Sequence, residues 1–259
     1  MSLLATKIIL ENAMNKIDTG GLKVLLYDIE TTPNLSYVWG QWEQNVIAHK
    51  EEGKLLCYAY KWLGEKKTYA VGLNTKKYHA LVSSLHDLFS EADIIIAHNG
   101  DQFDIKMSNR FFLKEGLKPP HQYKTIDTKK LAKSKFKFNS NKLNDLGEYL
   151  ELGKKINTGG FELWQGCMSG DRQSWKKMLA YNVQDVVLLE KVYLTLRPWC
   201  KHPNLNAMNG YNKCSVCQSN HVQHRGFGMN SSGKYQRFQC MSCGKWMHGT
   251  SEKTGTILK

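Results

Sequence analysis

The sequence predicts an α/β fold, in which a mixed β-sheet is flanked by helices and a small cysteine-rich module follows at the C-terminus. Strand-like apolar runs come first and then alternate with segments of helical periodicity, which is the order of a mixed sheet with helices on its faces. The 259 residues are 41% hydrophobic and 23% charged, a globular balance. Four of the seven cysteines form two closely spaced pairs in the last quarter of the chain.

The hydrophobic pattern predicts the elements in chain order. Short apolar runs predict five strands, at 22–29, 55–63, 68–73, 93–97 and 123–127. Longer stretches with helical features predict four helices, at 81–91, 102–115, 143–152 and 171–198. The Gly-rich stretch 156–170 is predicted to be a loop. Pro198 and the segment 202–210 predict a boundary, so the domains are placed at 1–199 and 200–259.

The charge of the chain points to its class of partner. The net charge is +13, which favours nucleic acid, although a merely basic soluble protein is the alternative. Residues 200–259 contain six Lys, two Arg and one Glu, so this quarter carries +7 and the rest carries +6. No apolar run approaches the roughly 18 to 20 residues of a membrane span, and the first residues are too short for a signal peptide. We therefore expect no membrane partner and a cytoplasmic location, in the host cytoplasm if the source is viral.

Two carboxylates end the first predicted strand. Asp28 and Glu30 are one residue apart after an apolar run, so they share a face of the strand about 6 to 7 Å apart. Two like charges so placed repel each other, and burial increases the cost. A divalent cation with oxygen ligands, Mg²⁺ or Mn²⁺, would offset the repulsion. The alternative is an ordinary strand end where both side chains reach water.

A second acidic segment follows the strand at 93–97. Asn99 and Gly100 are expected to turn the chain, and Asp104 then falls in the first turn of a helix, where the positive helix end favours a carboxylate. Asp101 competes with Asp104 for the functional role, because Asp101 also suits a helix cap. Phe103 is expected in the core or as a wall beside the site.

The third acidic segment is YNVQDVVLLEKVY. Tyr181 and Asp185 are four residues apart and therefore share one face of the long helix. Taken alone, a tyrosine at the edge of the core and an aspartate in solvent would explain this segment. Together with the other acids it predicts a site with four carboxylates.

In this order the residues resemble the three exonuclease motifs of the DEDD superfamily in its Tyr-bearing branch, as in the proofreading exonuclease domain of family B DNA polymerases. The motifs correspond to Asp28–Thr31, Asn99–Asp104 and Tyr181–Asp185, and a D-T segment at Asp127 is similar to a shorter motif of the family. The resemblance covers about residues 22–197 and implies a ribonuclease H-like fold, a mixed sheet flanked by helices.

The resemblance implies a 3′–5′ exonuclease that hydrolyses phosphodiester bonds, with DNA favoured, and releases nucleoside monophosphates. Two Mg²⁺ or Mn²⁺ ions would clamp the attacking and leaving oxygens and lower the pKa of the attacking water. Asp28 would bridge both ions. Glu30 and Asp185 would complete the shell of one ion, and Asp104 would bind mainly the other. Tyr181 would position the attacking water by a hydrogen bond.

Substrate contacts are predicted around these motifs, at Thr31, Asn99, Phe103, Lys154 and Lys155. The two lysines belong to KKINTGGFELW, which is interpreted as a loop over the substrate strand with Phe161 or Trp164 on bases. A hydrophobic plug is the alternative for that loop. The apolar side chains of Leu35, Tyr37 and Trp39 either seat the terminal base or belong to the core.

The cysteine pairs Cys214–Cys217 and Cys240–Cys243 are separated by 22 residues and predict one structural Zn²⁺ with four thiolate ligands. Gly244 permits the tight turn that such a pair needs. Val222–Gly226 and Tyr235–Gln239 are predicted as the arms of a hairpin between the pairs, and the whole resembles a zinc ribbon. Its basic charge and aromatic residues suit nucleic acid, whereas docking to a protein is the alternative.

Several function classes stay open on the sequence alone. The leading hypothesis is a stand-alone exonuclease for DNA replication, repair or processing, with a separate polymerase or another replication or repair protein as a candidate partner. A non-catalytic nucleic-acid-binding protein on a nuclease fold is the second class, and the complete set of acids argues against it. An RNA-processing exoribonuclease and a transposase-like or resolvase-like enzyme are the further alternatives.

Overall fold

The computed structural model describes residues 19, 21–42, 45–200, 213–214, 219–230 and 233–252. The chain divides into two compact units. The first is Lys23–Tyr193, and the second consists of the described residues before Lys23 and after Tyr193. The predicted domain boundary at residue 199 stays a prediction.

The first unit is built on a five-stranded mixed sheet. Its strands and one additional strand pair are β1 (Val24–Thr31), β2 (Leu35–Tyr37), β3 (Ala48–Glu51), β4 (Leu55–Trp62), β5 (Tyr69–Gly72), β6 (Ile94–Ala97) and β7 (Lys124–Asp127). The sheet order is β5-β4-β1-β6-β7, and β2 pairs only with β3 among the described strands. The central strand β1 is antiparallel to β4 and parallel to β6.

Helices cover both faces of this sheet. They are α1 (Tyr78–Glu91), α2 (Asp104–Lys114), α3 (Thr128–Lys135), α4 (Leu143–Tyr149), α5 (Glu162–Met168) and α6 (Arg172–Leu196), with a 3₁₀ turn at Arg197–Trp199. A mixed sheet flanked by helices was predicted from the sequence and is confirmed.

The two faces of β1 have different roles. Leu25, Tyr27 and Ile29 are at most 3% exposed and pack in one apolar cluster with α1 and α2. Cys57 of β4 belongs to a second cluster, formed with residues of α5 and α6. Glu30 lies directly opposite Cys57, and paired residues on neighbouring strands share a face. The even-numbered side chains of β1 therefore face the α5–α6 layer, with Asp28 and Glu30 at its edge.

Two local predictions are wrong, and one short helix was not predicted. The stretch 156–170 was predicted to be a loop, but Glu162–Met168 is helical because Leu163 and Cys167, four residues apart, are buried in the second apolar cluster. The short helix α3, which the pattern did not predict, follows Asp127 directly. The core alternative for Leu35, Tyr37 and Trp39 is also wrong, since these side chains are 51%, 58% and 88% exposed.

The second unit contains a three-stranded antiparallel sheet in the order β10-β9-β8. Its strands are β8 (Val222–Asn230), β9 (Gly233–Cys240) and β10 (Trp246–Glu252). The predicted hairpin arms lie within β8 and β9 and are confirmed as paired strands. The strand β10 was not predicted. Gly244 precedes it with a φ of 75°, a left-handed conformation that favours glycine. Within the described part of the chain, no helix is both long and apolar enough to cross a membrane.

Candidate active site

Three carboxylates from two elements converge on one face of the central strand. Oxygen atoms of Asp28 and Glu30 on β1 and of Asp185 on α6 all lie within 4.8 Å of one another. The strand places the two acids on the face covered by α6, and the helix brings Tyr181 and Asp185 to it because they are one turn apart. The structure thus brings together residues that are more than 150 positions apart in the sequence.

Asp104 supplies a fourth carboxylate from the first turn of α2. It is buried, and its Oδ1 accepts a hydrogen bond of 3.4 Å from the backbone N–H of Ile29. Asp101, the competing residue, instead forms an ion pair of 2.8 Å with Lys130. The geometry therefore favours Asp104 over Asp101 as the site residue.

The turn that precedes α2 is held by a third element. Asn99 has a φ of 66°, and its backbone N–H donates a 3.0 Å hydrogen bond to Asp127 Oδ1. The same oxygen caps α3 by accepting hydrogen bonds from the next backbone amides. The D-T segment at Asp127 thus fixes the turn from which Asp104 projects.

Asn182 contacts the carboxylates and was missed by the sequence analysis. Its side-chain N–H₂ donates to Asp28 Oδ2 at 2.7 Å and to the Asp28 backbone oxygen at 3.4 Å, and its own oxygen lies 3.8 Å from Cys57 Sγ. The side chain is fully buried. A signal was present in the sequence, because Asn182 is a polar residue between apolar neighbours on a helix whose next residues hold Asp185.

Lys155 enters the cluster from the loop before α5. Its Nζ lies 2.5 Å from Asp185 Oδ2 and 3.3 Å from the Tyr181 hydroxyl oxygen. The Lys155 backbone N–H donates to Asn144 Oδ1 at 2.9 Å, which fixes the loop at this point. Lys155 was predicted to contact the substrate, whereas in the structure its ammonium group lies directly on the Asp185 carboxylate.

Burial and mutual repulsion raise the pKa values of the acids. Burial, with the charges of Asp104 and Glu30, raises the pKa of the Asp28 carboxyl well above its ordinary value. Burial and Asp185 raise the pKa of Glu30 to about 8. Burial raises the pKa of Asp104 to about 6 and, opposed by Lys155, also raises that of Asp185. Burial would lower the pKa of Lys155, but its pairing with Asp185 raises it.

These residues fit a divalent-cation site. Four carboxylates meet one ammonium group, which leaves an excess of negative charge when all the acids are ionised. Asp185 Oδ1 is buried and has no hydrogen-bond partner among the described residues. A bound cation would satisfy this oxygen and stabilise the ionised form of each acid, and hard oxygen ligands select Mg²⁺ or Mn²⁺.

The other predicted substrate contacts are all at least partly exposed to solvent. Thr31 is half-buried at the end of β1, Asn99 is half-buried in its turn, and Phe103 is 44% exposed beside Asp104, which excludes a core role. Lys154 is exposed in the loop next to Lys155. An open groove of about 1180 Å³ begins just past β1, and its lining includes Thr32, Phe161, Trp175 and Lys176.

The second unit holds a group of thiols. The Sγ atoms of Cys214, Cys240 and Cys243 lie within 4.8 Å of one another, and those of Cys214 and Cys243 are 3.5 Å apart. Two ligands of a tetrahedral zinc are about 3.8 Å apart, given Zn–S bonds of about 2.3 Å. The three thiols are therefore at zinc-binding distances, and Cys217, the fourth predicted ligand, lies outside the described residues.

Comparison with known proteins adds a family and a fold. The family model described as RNase_H superfamily matches residues 25–197. The solved family B DNA polymerase from the hyperthermophilic archaeon Pyrobaculum calidifontis is similar with a TM-score of 0.53 and 15% sequence identity, over 68% of this chain and 25% of the polymerase. This chain thus spans only a quarter of the polymerase. No curated protein matches the sequence significantly. The predicted ribonuclease H-like fold is confirmed.

Proposed function

The chain belongs to the RNase_H superfamily, and we propose that it is a metal-dependent 3′–5′ exonuclease that releases nucleoside monophosphates from DNA. One observation carries the proposal: Asp28, Glu30 and Asp185 converge within 4.8 Å and leave a buried carboxylate oxygen without a partner. The order of the motifs supports the Tyr-bearing branch of the DEDD exonucleases, and it is also the basis for the proposed direction of digestion.

The carboxylates are the proposed metal ligands. Asp28 is close enough to all three other acids for their charges to raise its pKa, that of Asp104 most, followed by Glu30 and Asp185. This position suits a ligand shared by two cations, with Glu30 and Asp185 on one side and Asp104 on the other. When bound, two Mg²⁺ or Mn²⁺ ions would supply Lewis acidity for attack of water on the phosphodiester.

The remaining residues of the site are proposed to orient the attacking water and to neutralise part of the negative charge. Burial and the charge of Asp185 raise the pKa of the Tyr181 hydroxyl, so it stays protonated and can hold a water by a hydrogen bond. Lys155 offsets part of the negative charge and is close enough to the acids to reach a phosphate oxygen. The groove beside Thr32 offers space for the strand that leads to the site.

A cleavage assay with four substrates tests the proposal. Single-stranded and duplex DNA and RNA, each labelled at the 5′ or the 3′ end, are incubated with the full chain and Mg²⁺ or Mn²⁺. We expect stepwise shortening of the 5′-labelled DNA, immediate release of a labelled monophosphate from the 3′-labelled DNA, and no reaction with a chelator present.

Other products would support other functions. Efficient degradation of RNA alone would make the protein an exoribonuclease. Binding without cleavage under all metal conditions would make it a non-catalytic nucleic-acid-binding protein. Internal cuts or strand joining would contradict an exonuclease and favour the transposase-like or resolvase-like alternative.

We also propose that Cys214, Cys217, Cys240 and Cys243 bind one structural Zn²⁺ in a zinc ribbon. The supporting observation is the convergence of the three described thiols, two of them buried, at the ends of an antiparallel sheet. Metal analysis of the purified chain should find about one zinc per molecule, and none would contradict the assignment. A role in replication or repair beside a separate polymerase, in the cytoplasm, remains a further proposal.

A further inference from the structure

The sheet of the second unit has two faces that differ in their side chains. One face, here called the Trp246 face, consists of Tyr235, Arg237, Trp246 and His248. His248 of β10 lies directly opposite Arg237 of β9, and residues so paired share a face. The other face, here called the Phe227 face, holds the rings of Phe227, Phe238 and His224 together with Lys234.

Rings and basic groups alternate along the Trp246 face. The Arg237 guanidinium carbon lies 4.9 Å from the centre of the Trp246 ring, and the rings of Tyr235 and His248 are 5.1 Å apart. Trp246 is 48% exposed, and Arg237 and His248 are exposed as well. Indole and guanidinium planes both stack on nucleic-acid bases, and the guanidinium also binds phosphate.

The third strand of the sheet widens this face. A Cβ atom at Gly228 of β8 would lie 2.6 Å from the ring of Tyr235, so the absence of a side chain there lets the ring lie close over β8. The rings of the Trp246 face therefore cross the sheet from β10 to β8. Aromatic side chains spread over an antiparallel sheet are a general way to stack several unpaired bases.

We propose that the Trp246 face binds single-stranded nucleic acid, with Trp246 and Tyr235 stacking on bases and Arg237 contacting phosphate. The charge of the region supports this ligand, because residues 200–259 carry +7 and include a single acid. A duplex does not fit, since its bases are stacked on one another and present no free ring face. The site does not depend on whether the carboxylate cluster hydrolyses the strand.

The Phe227 face offers matched controls on the same small sheet. Phe227 is 46% exposed, close to the 48% of Trp246, and Lys234 Nζ lies 4.0 Å from the centre of its ring. Replacement of either residue by alanine therefore removes an aromatic side chain of similar exposed fraction that lies beside a cation. Removal of Lys234 or of Arg237 changes the net charge by the same amount.

Binding of a fluorescein-labelled 20-residue oligodeoxynucleotide, measured by anisotropy, tests the proposal. The full chain carries Asp28→Asn in all samples, and gels verify that the oligonucleotide stays intact. We expect Trp246→Ala to weaken binding about tenfold, as for loss of one stacked base, and Phe227→Ala to change it less than about twofold. Arg237→Gln should lower the affinity more than Lys234→Gln does. It should also reduce the salt dependence of binding more.

Controls separate binding from folding. Each variant is checked for metal content and far-UV circular dichroism, and Trp246→Phe, which keeps a ring, should retain most of the affinity. Equal losses in Trp246→Ala and Phe227→Ala, or equal affinity for duplex and single strand, would overturn the proposal. Unchanged nucleic-acid affinity in folded Trp246→Ala would also overturn it and favour docking of a protein on this face.

Discussion

The two units hold their clusters of metal-ligand side chains by different means. In the first unit, Asp28 and Asp185 lie on a strand and a helix that two apolar clusters fix in place. In the second unit, beyond residue 200, Cys214 and Cys240 are the only buried side chains of those described. The difference indicates which cluster of side chains is in place before a metal binds. The acids are preorganised by packing, whereas the thiols have little packing to preorganise them, and the proposed zinc would have to hold that unit together.

The largest expected effect is the loss of the second unit when its proposed zinc is removed. Structural zinc contributes on the order of 10 kcal/mol to the folding of small domains, so Cys240→Ser should unfold the ribbon. Limited proteolysis should then cut the chain after residue 200 and leave the first unit protected. Cys167→Ala, at a buried cysteine outside the cluster, is the control. If the ribbon of Cys240→Ser resists the protease, this result would contradict the proposed difference between the two units.

Asp28→Asn should abolish hydrolysis and leave the first unit folded. Loss of the shared metal ligand removes several kcal/mol of transition-state stabilisation, and about 4 kcal/mol is roughly a thousandfold in rate. The melting temperature should not fall, because the substitution also removes a charge from a repulsive cluster. Single-turnover rates and thermal melts measure the two effects. Full activity, or an unfolded first unit, would contradict a preorganised acid site.

The stability of the metal-free first unit should fall as the pH rises from about 6.5 to 8. Glu30 has its ordinary pKa of 4.5 when unfolded and about 8 when folded, so the folded state binds more protons in this window. Burial lowers the pKa of His98 from 6.5 to about 4, so near pH 6.5 this group binds protons only in the unfolded state and weakly opposes the Glu30 effect. We expect a fall of about 3 °C in melting temperature.

Two controls test the source of this pH dependence. Addition of Mg²⁺ should flatten the slope, because a bound cation stabilises the ionised carboxylates, and Glu30→Gln should flatten it without metal. A rise in melting temperature over the same window would contradict a raised pKa of Glu30 in the folded state.

Asn182→Ala should lower the activity of the acid site while leaving its carboxylates in place. A hydrogen bond to a charged group contributes about 1.5 to 3 kcal/mol, so we expect at least a roughly tenfold loss in rate and a higher Mg²⁺ concentration for half-maximal activity. Cys57→Ala, which removes the weak contact at the other end of the amide and a small part of the apolar packing but leaves the Asp28 hydrogen bond, is the control. A Mg²⁺ titration identical to that of the native chain would exclude a positioning role for Asn182.

Tyr181→Phe should have the smallest effect. The substitution keeps the ring beside Trp164 and Lys155 and removes one hydroxyl group, a loss of about 1 kcal/mol or roughly fivefold in rate. Single-turnover measurements across pH give the size of the effect. A thousandfold loss, equal to that of Asp28→Asn, would mean that Tyr181 does more than hold a water.

Much of the sheet and of the acid site could be predicted from the sequence, because the signals are local. The apolar run of β1 and the spacing of Asp28 and Glu30 are properties of a few neighbouring residues. The helix α5 could not be predicted, since glycines surround it and only the burial of Leu163 and Cys167 against α6 makes it stable. Asn182 was missed because its partner, Asp28, is 154 positions away.

The position of the long helix α6 in the chain also determines when the acid site can form during synthesis. Tyr181, Asn182 and Asp185 are the last residues of the site to leave the ribosome, and they must then pack against β1, which holds the first residues of the site. Contacts of such high sequence separation form late, after the intervening chain has collapsed. A truncated or half-made chain that ends before α6 lacks both the Asp28 hydrogen bond and one carboxylate. Such a chain therefore lacks the complete carboxylate cluster on which the proposed hydrolysis depends.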